Sequence, residues 1–471
     1  MEHTVDLIVL GGGSAAFAAA IKAAEAGRRV ALIEEGTIGG TCVNVGCVPS
    51  KTLIAAANLR YRALHPAFAG LGLGDAGLDW ASIFAQKQAL VDELREAKYV
   101  RVLEAYPTIS WVRGRGYLDQ AEPVVRVRVG EAVWEAPRGV VATGARPWIP
   151  PISGLGATPY WTSTEALAAT HRPERLLVIG GSAVGLELGQ LYHRLGTAVT
   201  IVEAVDRILP QEDAEVSQAL SYYLGEEGIA VQSAVQLEAV DYDGSRFWVR
   251  GRQGGKTFEW TGDHVLVATG RRPHVEGFGL ERVGVKLTSR GGIAVNDHLE
   301  TSVPTLYAAG DVTGEAQFVY VAAEAGAVAA TNALGLGERR LDLSALPRVT
   351  FTDPQVASVG YTDEAAEAAG IPCTCSTLPL EYVPRALANR DVRGFIKLVV
   401  EQETERVLGM HVVAPEAGEV IQVGVFAVRF GMTLEDLTTT LFPYLTMVEG
   451  VKLAALTFHK DVSKLSCCAG S

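Results

Sequence analysis

The chain reads as an α/β protein of three domains. Two are built on one strand–turn–helix–strand unit, the first interrupted by the second, and an α+β domain closes the chain. Three observations predict this. A length of 471 residues exceeds what one core supports and suggests about three domains of ~150 residues. Its 51 glycines punctuate short apolar strands and alanine-rich helical stretches, the texture of an α/β fold. The third observation is that the same unit occurs twice with matching internal spacing.

The first copy lies at the N-terminus. Asp6-Leu7-Ile8-Val9-Leu10 reads as a buried strand and Gly11-Gly12-Gly13-Ser14-Ala15-Ala16 as a tight turn. A helix follows from about Ala15 to Ala26, stopped by Gly27, and a second strand, Val30-Ala31-Leu32-Ile33, ends at Glu34. The second copy runs from strand Leu176–Ile179 through the turn Gly180 to Gly185. Its helix reaches Leu195, and its second strand spans Val199 to Val202 before Glu203. Gly11 to Gly180 and Glu34 to Glu203 are each separated by 169 positions. In the fingerprint Gly11-x-Gly13-x-x-Ala16, glycines let the backbone approach a pyrophosphate. The helix N-terminus faces that charge, and Glu34 can accept from a ribose hydroxyl. Two such units predict two Rossmann-like dinucleotide-binding domains. In the second, Ser182 replaces the middle glycine, and its small side chain predicts tolerance. Glu203 favours NADH, because a carboxylate repels a 2′-phosphate. Arg207 keeps NADPH open, although a solvated surface cation is the favoured reading of that residue.

Two further strand-plus-turn segments match each other, Gly139-Val140-Val141-Ala142-Thr143-Gly144 and Val265-Leu266-Val267-Ala268-Thr269-Gly270. After the second comes Thr305-Leu306-Tyr307-Ala308-Ala309-Gly310-Asp311. The first domain is therefore expected at 1–150 and 273–346, the second at 151–272 and the third at 347–471. From Pro347 the glycine turns thin out, and alternating strands such as Phe395–Val400 lead into a long helical region.

Composition excludes several roles. With 54 acidic against 41 basic residues the net charge is −13, so nucleic acid and anionic membranes are poor partners. No apolar run approaches the ~18 to 20 residues of a membrane span. Met1-Glu2-His3-Thr4-Val5-Asp6 has neither a basic nor an apolar leader segment, and a cytoplasmic location is expected. In that compartment paired cysteines are redox-active or metal-binding more often than structural. Four of the six cysteines form two dithiols at opposite ends, Cys42 with Cys47 and Cys467 with Cys468. A soft metal ion prefers thiolates, and a disulfide acceptor engages them by exchange. Cys42-x4-Cys47 followed by Pro49 reads as a loop entering a helix, where the dipole lowers a thiol's pKa. Cys373 and Cys375 form a further Cys-x-Cys, read as two thiols without a role in preference to a second metal site. The nine histidines form no ligand-spaced cluster.

The stretch Gly39 to Lys51, the two fingerprints and Ala308-Ala309-Gly310-Asp311 resemble the flavoprotein pyridine nucleotide–disulfide oxidoreductases over essentially the whole chain. That resemblance implies FAD in the first nucleotide fold, held by Gly11, Gly13, Ala16, Glu34, Thr41, Gly144 and Asp311. NADH or NADPH would occupy the second, at Gly180, Gly185, Glu203 and Gly270. Lys51 and Glu187 would pair beside the flavin. Cys47 would be the thiol against the flavin and Cys42 the outer, exchanging thiol. In the disulfide reductases a histidine of the C-terminal domain is the acid/base for thiol exchange. Here Phe442-Pro443-Tyr444-Leu445-Thr446-Met447-Val448-Glu449 places a tyrosine there. A phenol, with a reference pKa of about 10, is poorly matched to protonating a leaving thiolate. This stretch, the Lys464–Gly470 tail, Asp92–Tyr99, Gln317–Val321 and Pro384–Asn389 resemble the mercury-reducing branch of the family. By that resemblance Cys467 and Cys468 capture Hg(II) from thiol complexes and pass it to Cys42 and Cys47 of the other subunit of a homodimer. Tyr99 and Tyr444 would line the metal site, whereas Tyr320 is expected in aromatic core packing. Many members of the branch carry an extra N-terminal metal-binding domain, so delivery here would fall to the tail or to free thiols. The competing expectations are a thioredoxin reductase with a C-terminal dithiol and a mercury-sequestering protein without turnover.

Overall fold

The computed structural model describes residues 2–71 and 77–464. The first sheet is parallel and five-stranded, in the order 306–308, 138–141, 7–10, 30–34, 109–113. Its central strand, Leu7–Leu10, is buried along its whole length, which explains the unbroken apolar run in the sequence. The strand Leu306–Ala308 returns to this sheet after the chain has passed through the second nucleotide fold. An antiparallel ribbon of 145–147 with 271–273 forms where the chain leaves and re-enters.

The second parallel sheet has the order 230–232, 198–202, 175–179, 264–267 and carries a three-stranded antiparallel meander, 236–262. The first unit's helix is Ser14–Glu25 and the second's is Ala183–Arg194, each following its glycine turn as the spacing predicted.

The C-terminal domain is a five-stranded antiparallel sheet, ordered 348–350, 355–360, 407–414, 395–401, 373–379. Here the expectation of an alternating strand is corrected. Phe395–Val400 is buried on both faces, and Lys397 in its middle is 1% exposed. The charge survives burial because Asp213, Glu215 and Asp363 meet its ammonium at 2.8, 2.9 and 3.0 Å. The expected long helical region is divided into Ala417–Phe430, Leu434–Thr439 and Glu449–Leu456. Gly431, left-handed at φ 62°, ends the first helix, and a loop containing Pro443 separates the other two. Arg194, fully buried and paired with Glu227 of its own fold, fastens this domain to the second nucleotide fold through Asp353 at 2.8 Å. No helix among the described residues is long and apolar enough to cross a membrane.

Candidate active site

The two glycine turns are nearly superimposable in chemistry. Gly11 and Gly180 have φ of 121° and 115°, and a Cβ would lie 2.2 Å from Ala142 O in one and 2.4 Å from Ala268 O in the other. Only glycine fits either place. Gly13 and Ser182 cap the following helices in the same extended conformation, φ −91° and −101°, which any residue adopts. This is why serine is tolerated. Neither cap side chain bonds the first-turn amides, and neither first turn carries an acid. Both helix N-termini thus keep free N–H donors facing outward, a cradle suited to a dinucleotide's pyrophosphate.

The acid at the end of each second strand braces its turn. Glu34 accepts from the amides of Gly12 and of Gly36, the latter at 2.5 Å, and burial holds its carboxyl above the usual range. Glu203 accepts from Gly181 N at 2.6 Å and Val205 N at 3.0 Å. Arg207 reaches Pro210 O at 3.3 Å and Glu364 at 3.8 Å, a surface arrangement.

The dithiol grows from the first turn. Gly40, left-handed at φ 63°, passes so close that a Cβ would sit 2.7 Å from Gly13 Cα. Cys42 lies on a short helix, Gly40–Val45, rather than on the loop expected from the sequence. Asn44 closes that turn by donating to Ile38 O and Gly40 O, each at 2.9 Å. Cys47 is the first residue of the helix Cys47–Leu64, with Pro49 in its first turn. Both sulfurs are free thiols. Cys42 hydrogen-bonds to Cys47, which, against the cost of burial and with help from the Lys51 ammonium, lowers the Cys47 thiol to about 7. The same bond, together with burial, pushes Cys42 strongly upward. The pair is therefore polarised, Cys47 toward thiolate and Cys42 toward thiol.

Lys51 Nζ lies 2.7 Å from Glu187 Oε2, with that carboxylate 7% exposed. Phe351 completes the arrangement; its amide donates to Glu187 Oε1 at 2.9 Å and its ring lies 4.5 Å beneath the ammonium. Tyr99 occupies a π-helical turn, Glu96–Val100, a local widening often found at functional sites. Its ring meets Phe17 edge-on at 4.8 Å and its hydroxyl shares a hydrogen bond with Ser14. Burial raises its pKa, and the charges of Cys42 and Cys47 raise it further, so it sits within their field.

Asp311 lies in the turn Gly310–Thr313 before the helix Val319–Ala333, its carboxyl raised by burial and countered by Arg271. Arg271 also donates to Ala145 O and reaches Thr41 Oγ1 at 3.4 Å. Sequence reasoning missed Arg271 and Phe351. The signal for Arg271 was present: Gly144 is followed by alanine, while the matching Gly270 is followed by arginine. Gly144 and Gly270 are both left-handed, with open space where a Cβ would stand. Ala16 is fully buried in the helix behind the first turn, and Gly185 packs against Gly180 O, 2.0 Å from where its Cβ would be. Tyr444 is half exposed on the loop before Glu449, whose carboxylate accepts from Leu445 N at 3.2 Å. Tyr320 is not in the core; it is 45% exposed, stacked on Phe318 and bonded to Pro347 O. Cys467 and Cys468 lie outside the described residues.

Two nucleotide folds flanking a polarised dithiol define an oxidoreductase that joins a nicotinamide, a flavin and a thiol pair. Residues 5–326 match the pyridine nucleotide-disulphide oxidoreductase family and residues 346–455 its dimerisation domain. The chain is 49% identical to a mercuric reductase of Shigella flexneri, covering 98% of this chain and 82% of that one. It is 46% identical to a mercuric reductase of Streptomyces lividans, covering 99% of both. Among solved structures, LpdA from Mycobacterium tuberculosis is similar at TM-score 0.85 and 31% identity, covering 97% of this chain and all of that one. The HOCl-induced flavoprotein disulfide reductase RclA from Escherichia coli reaches TM-score 0.85 at 28% identity, again covering 97% and 100%. The chain belongs to the pyridine nucleotide-disulphide oxidoreductases and, within them, to the mercuric reductases.

Proposed function

We propose that the chain, as a homodimer, reduces Hg(II) held by Cys42 and Cys47 to Hg(0) with electrons from NAD(P)H. The observation that carries this reading is the polarised dithiol in the wall of the first nucleotide fold, in a chain of this family branch. The cradle at Gly11–Gly13, Glu34, Gly144 and Asp311 fits FAD, and that at Gly180–Gly185, Glu203 and Gly270 fits the nicotinamide dinucleotide. FAD, when bound, carries the electron pair from nicotinamide to the dithiol side.

Hg(II) reaches the site as a complex of two thiolates and moves by ligand exchange. Each exchange forms one sulfur–mercury bond and breaks another, and the incoming thiol's proton leaves on the departing thiolate. We place Cys467 and Cys468 of one subunit as the donors to the dithiol of the other. Cys47, its thiol lowered by the Cys42 hydrogen bond and Lys51, supplies thiolate near pH 7 and attacks without waiting for a base. Cys42 closes the second bond after surrendering its proton to the departing thiolate. Lys51, itself fixed by Glu187 and Phe351, holds positive charge beside Cys47. Tyr99 lines the same place, and Tyr444 is proposed to reach it from the other subunit. A two-electron reduction then breaks both sulfur–mercury bonds and releases Hg(0), leaving two thiolates, and Cys42 takes back one proton, supplied by oxidation of the hydride, to restore the starting thiol–thiolate pair. Glu203 inclines the donor preference toward NADH.

The test is oxidation of NADH and then NADPH by the yellow protein on adding Hg(II) with excess small thiol. Mercury-dependent oxidation with volatile mercury released is the expected result. Turnover of oxidised thioredoxin without a response to Hg(II) would overturn it. Cys467→Ala with Cys468→Ala is expected to impair turnover of thiol-chelated Hg(II) while sparing flavin reduction by NAD(P)H; loss of flavin reduction would assign the tail another role.

A further inference from the structure

We propose that Cys373 and Cys375 form an auxiliary two-thiolate site for a soft, linearly coordinated metal ion, occupied by Hg(II) in this protein. The choice of Hg(II) rests on the function proposed above; the geometry of the site does not. Both cysteines lie on the edge strand Cys373–Pro379, which has a strand neighbour on one side. Residues two apart in a strand face the same way, and both thiols approach one residue, Asp363, at the head of the helix Asp363–Ala368. Cys373 Sγ lies 4.0 Å from Asp363 O and Cys375 Sγ 3.9 Å from Asp363 Oδ2. Both sulfurs thus lie on one face of the strand beside the same residue, Cys373 half-buried and Cys375 on the open side.

The spacing selects the chemistry. Two strand residues apart means Cα atoms about 6.6 Å apart with near-parallel Cβ bonds, far from the ~3.8 Å Cβ separation a disulfide requires. Two metal–sulfur bonds of about 2.3 Å laid end to end bridge about 4.6 Å, which fits such a pair. A four-coordinate ion lacks ligands here. The Asp363 carboxylate is committed to Lys397 at 3.0 Å, and no group of three or more His, Cys, Asp or Glu among the described residues could hold a metal. A soft two-coordinate ion needs only the two sulfurs. Loading is a balanced exchange: a mercury bis-thiolate and two protein thiols give the protein bis-thiolate and two free small thiols.

The site is tested by binding, so it stands or falls apart from mercury turnover. In the holoenzyme carrying Cys42→Ser, Cys47→Ser, Cys467→Ser and Cys468→Ser, Cys373 and Cys375 are the remaining thiols. Loaded with Hg(II) and gel-filtered against a small competing thiol, this protein is expected to retain one mercury per protomer. Adding Cys375→Ser should lower the competitor needed to strip it by at least tenfold, since the second sulfur acts at about millimolar effective concentration. Circular dichroism and bound flavin report that the variants fold. Equal retention with and without Cys373 and Cys375 would overturn the proposal. So would two mercury ions per protomer, each capped by a small thiol, because the sulfurs would then act singly.

Discussion

The two nucleotide folds share a turn and differ in what is packed on it. In both, an acid at the second strand's end braces the turn through the amide of Gly12 or Gly181. The small residues are distributed differently: Gly13 and Ala16 in the first copy, Ser182 and Gly185 in the second. In the first copy the dithiol segment crosses position 13 through Gly40, where a Cβ would lie 2.7 Å from Gly13 Cα, whereas a Cβ on Gly13 itself would lie an ordinary 3.7 Å from Gly40 Cα. In the second, position 182 is exposed, and a hydroxymethyl group has room. The fingerprint is therefore not a uniform device. Its first glycine, Gly11 or Gly180, is required by the backbone in both copies, while position 13 or 182 can vary.

The strongest way to break the comparison is to make the first copy as chemically silent as the second. Cys47→Ser should leave NAD(P)H binding intact and cut mercury-dependent oxidation by at least about 10³-fold, the scale on which loss of a nucleophile acts. Steady-state rates with thiol-chelated Hg(II) check this, and retained turnover would remove Cys47 from the chemistry. Next is the contact itself. Gly40→Ala places a Cβ 2.7 Å from Gly13 Cα at a positive φ, a conformation costing alanine about 1–2 kcal/mol before any clash. Flavin retention and turnover should fall about tenfold or more, with the 1.4 kcal/mol-per-decade scale as guide. Ser182→Gly, at the matching position, should change either by less than about twofold on the same scale. Similar losses from both would mean that the dithiol segment does not explain the glycine.

How much of this was legible follows from how local each feature is. Strands, turns and helices of the repeated unit are set by neighbours in sequence, and the structure places Leu7–Leu10 and Ser14–Glu25 within a residue or so of the expected bounds. The expected Lys51–Glu187 partners lie 136 positions apart, yet they came only through family likeness, not through any rule of spacing. What stayed hidden is nonlocal and carries no motif. Phe351 supports Lys51 from the C-terminal domain, and Arg271 spans Thr41 and Asp311 from the crossing ribbon. Lys397 is hidden in the same way: in a strand expected to alternate, it is buried because three carboxylates from elsewhere neutralise it in the interior.

A finer probe separates the fold of the first copy from the tuning of its thiol. Lys51→Met removes a cation that helps hold the Cys47 thiol near 7. The group is depressed, so its thiolate is present above about 7 and lost below it; without Lys51 that boundary moves up. Alkylation of Cys47 by iodoacetamide should slow a few-fold at pH 7 and converge with the parent protein at high pH, as thiolate fraction dictates. Lys51→Arg should restore the lower midpoint. An unmoved midpoint in Lys51→Met would leave the hydrogen bonds from Cys42 and from the Cys47 backbone amide as the cause.

The smallest expected effect bears on the second copy alone. Glu203 and Glu34 brace their turns alike, but only Glu203 is proposed to choose between nicotinamide donors. Its carboxylate is already engaged by Gly181 N and Val205 N, so Glu203→Ala removes both the brace and the negative charge that a 2′-phosphate would meet. The brace acts on NADH and NADPH equally; the charge acts on NADPH alone. A loss of the brace raises both KM values together, whereas a loss of repulsion narrows their ratio by a few-fold, a difference of under about 1.4 kcal/mol. Measuring kcat/KM for both donors separates the two contributions. If the ratio is unchanged while both values fall, Glu203 only holds the turn, as its hydrogen bonds do, and donor choice lies elsewhere in the second fold.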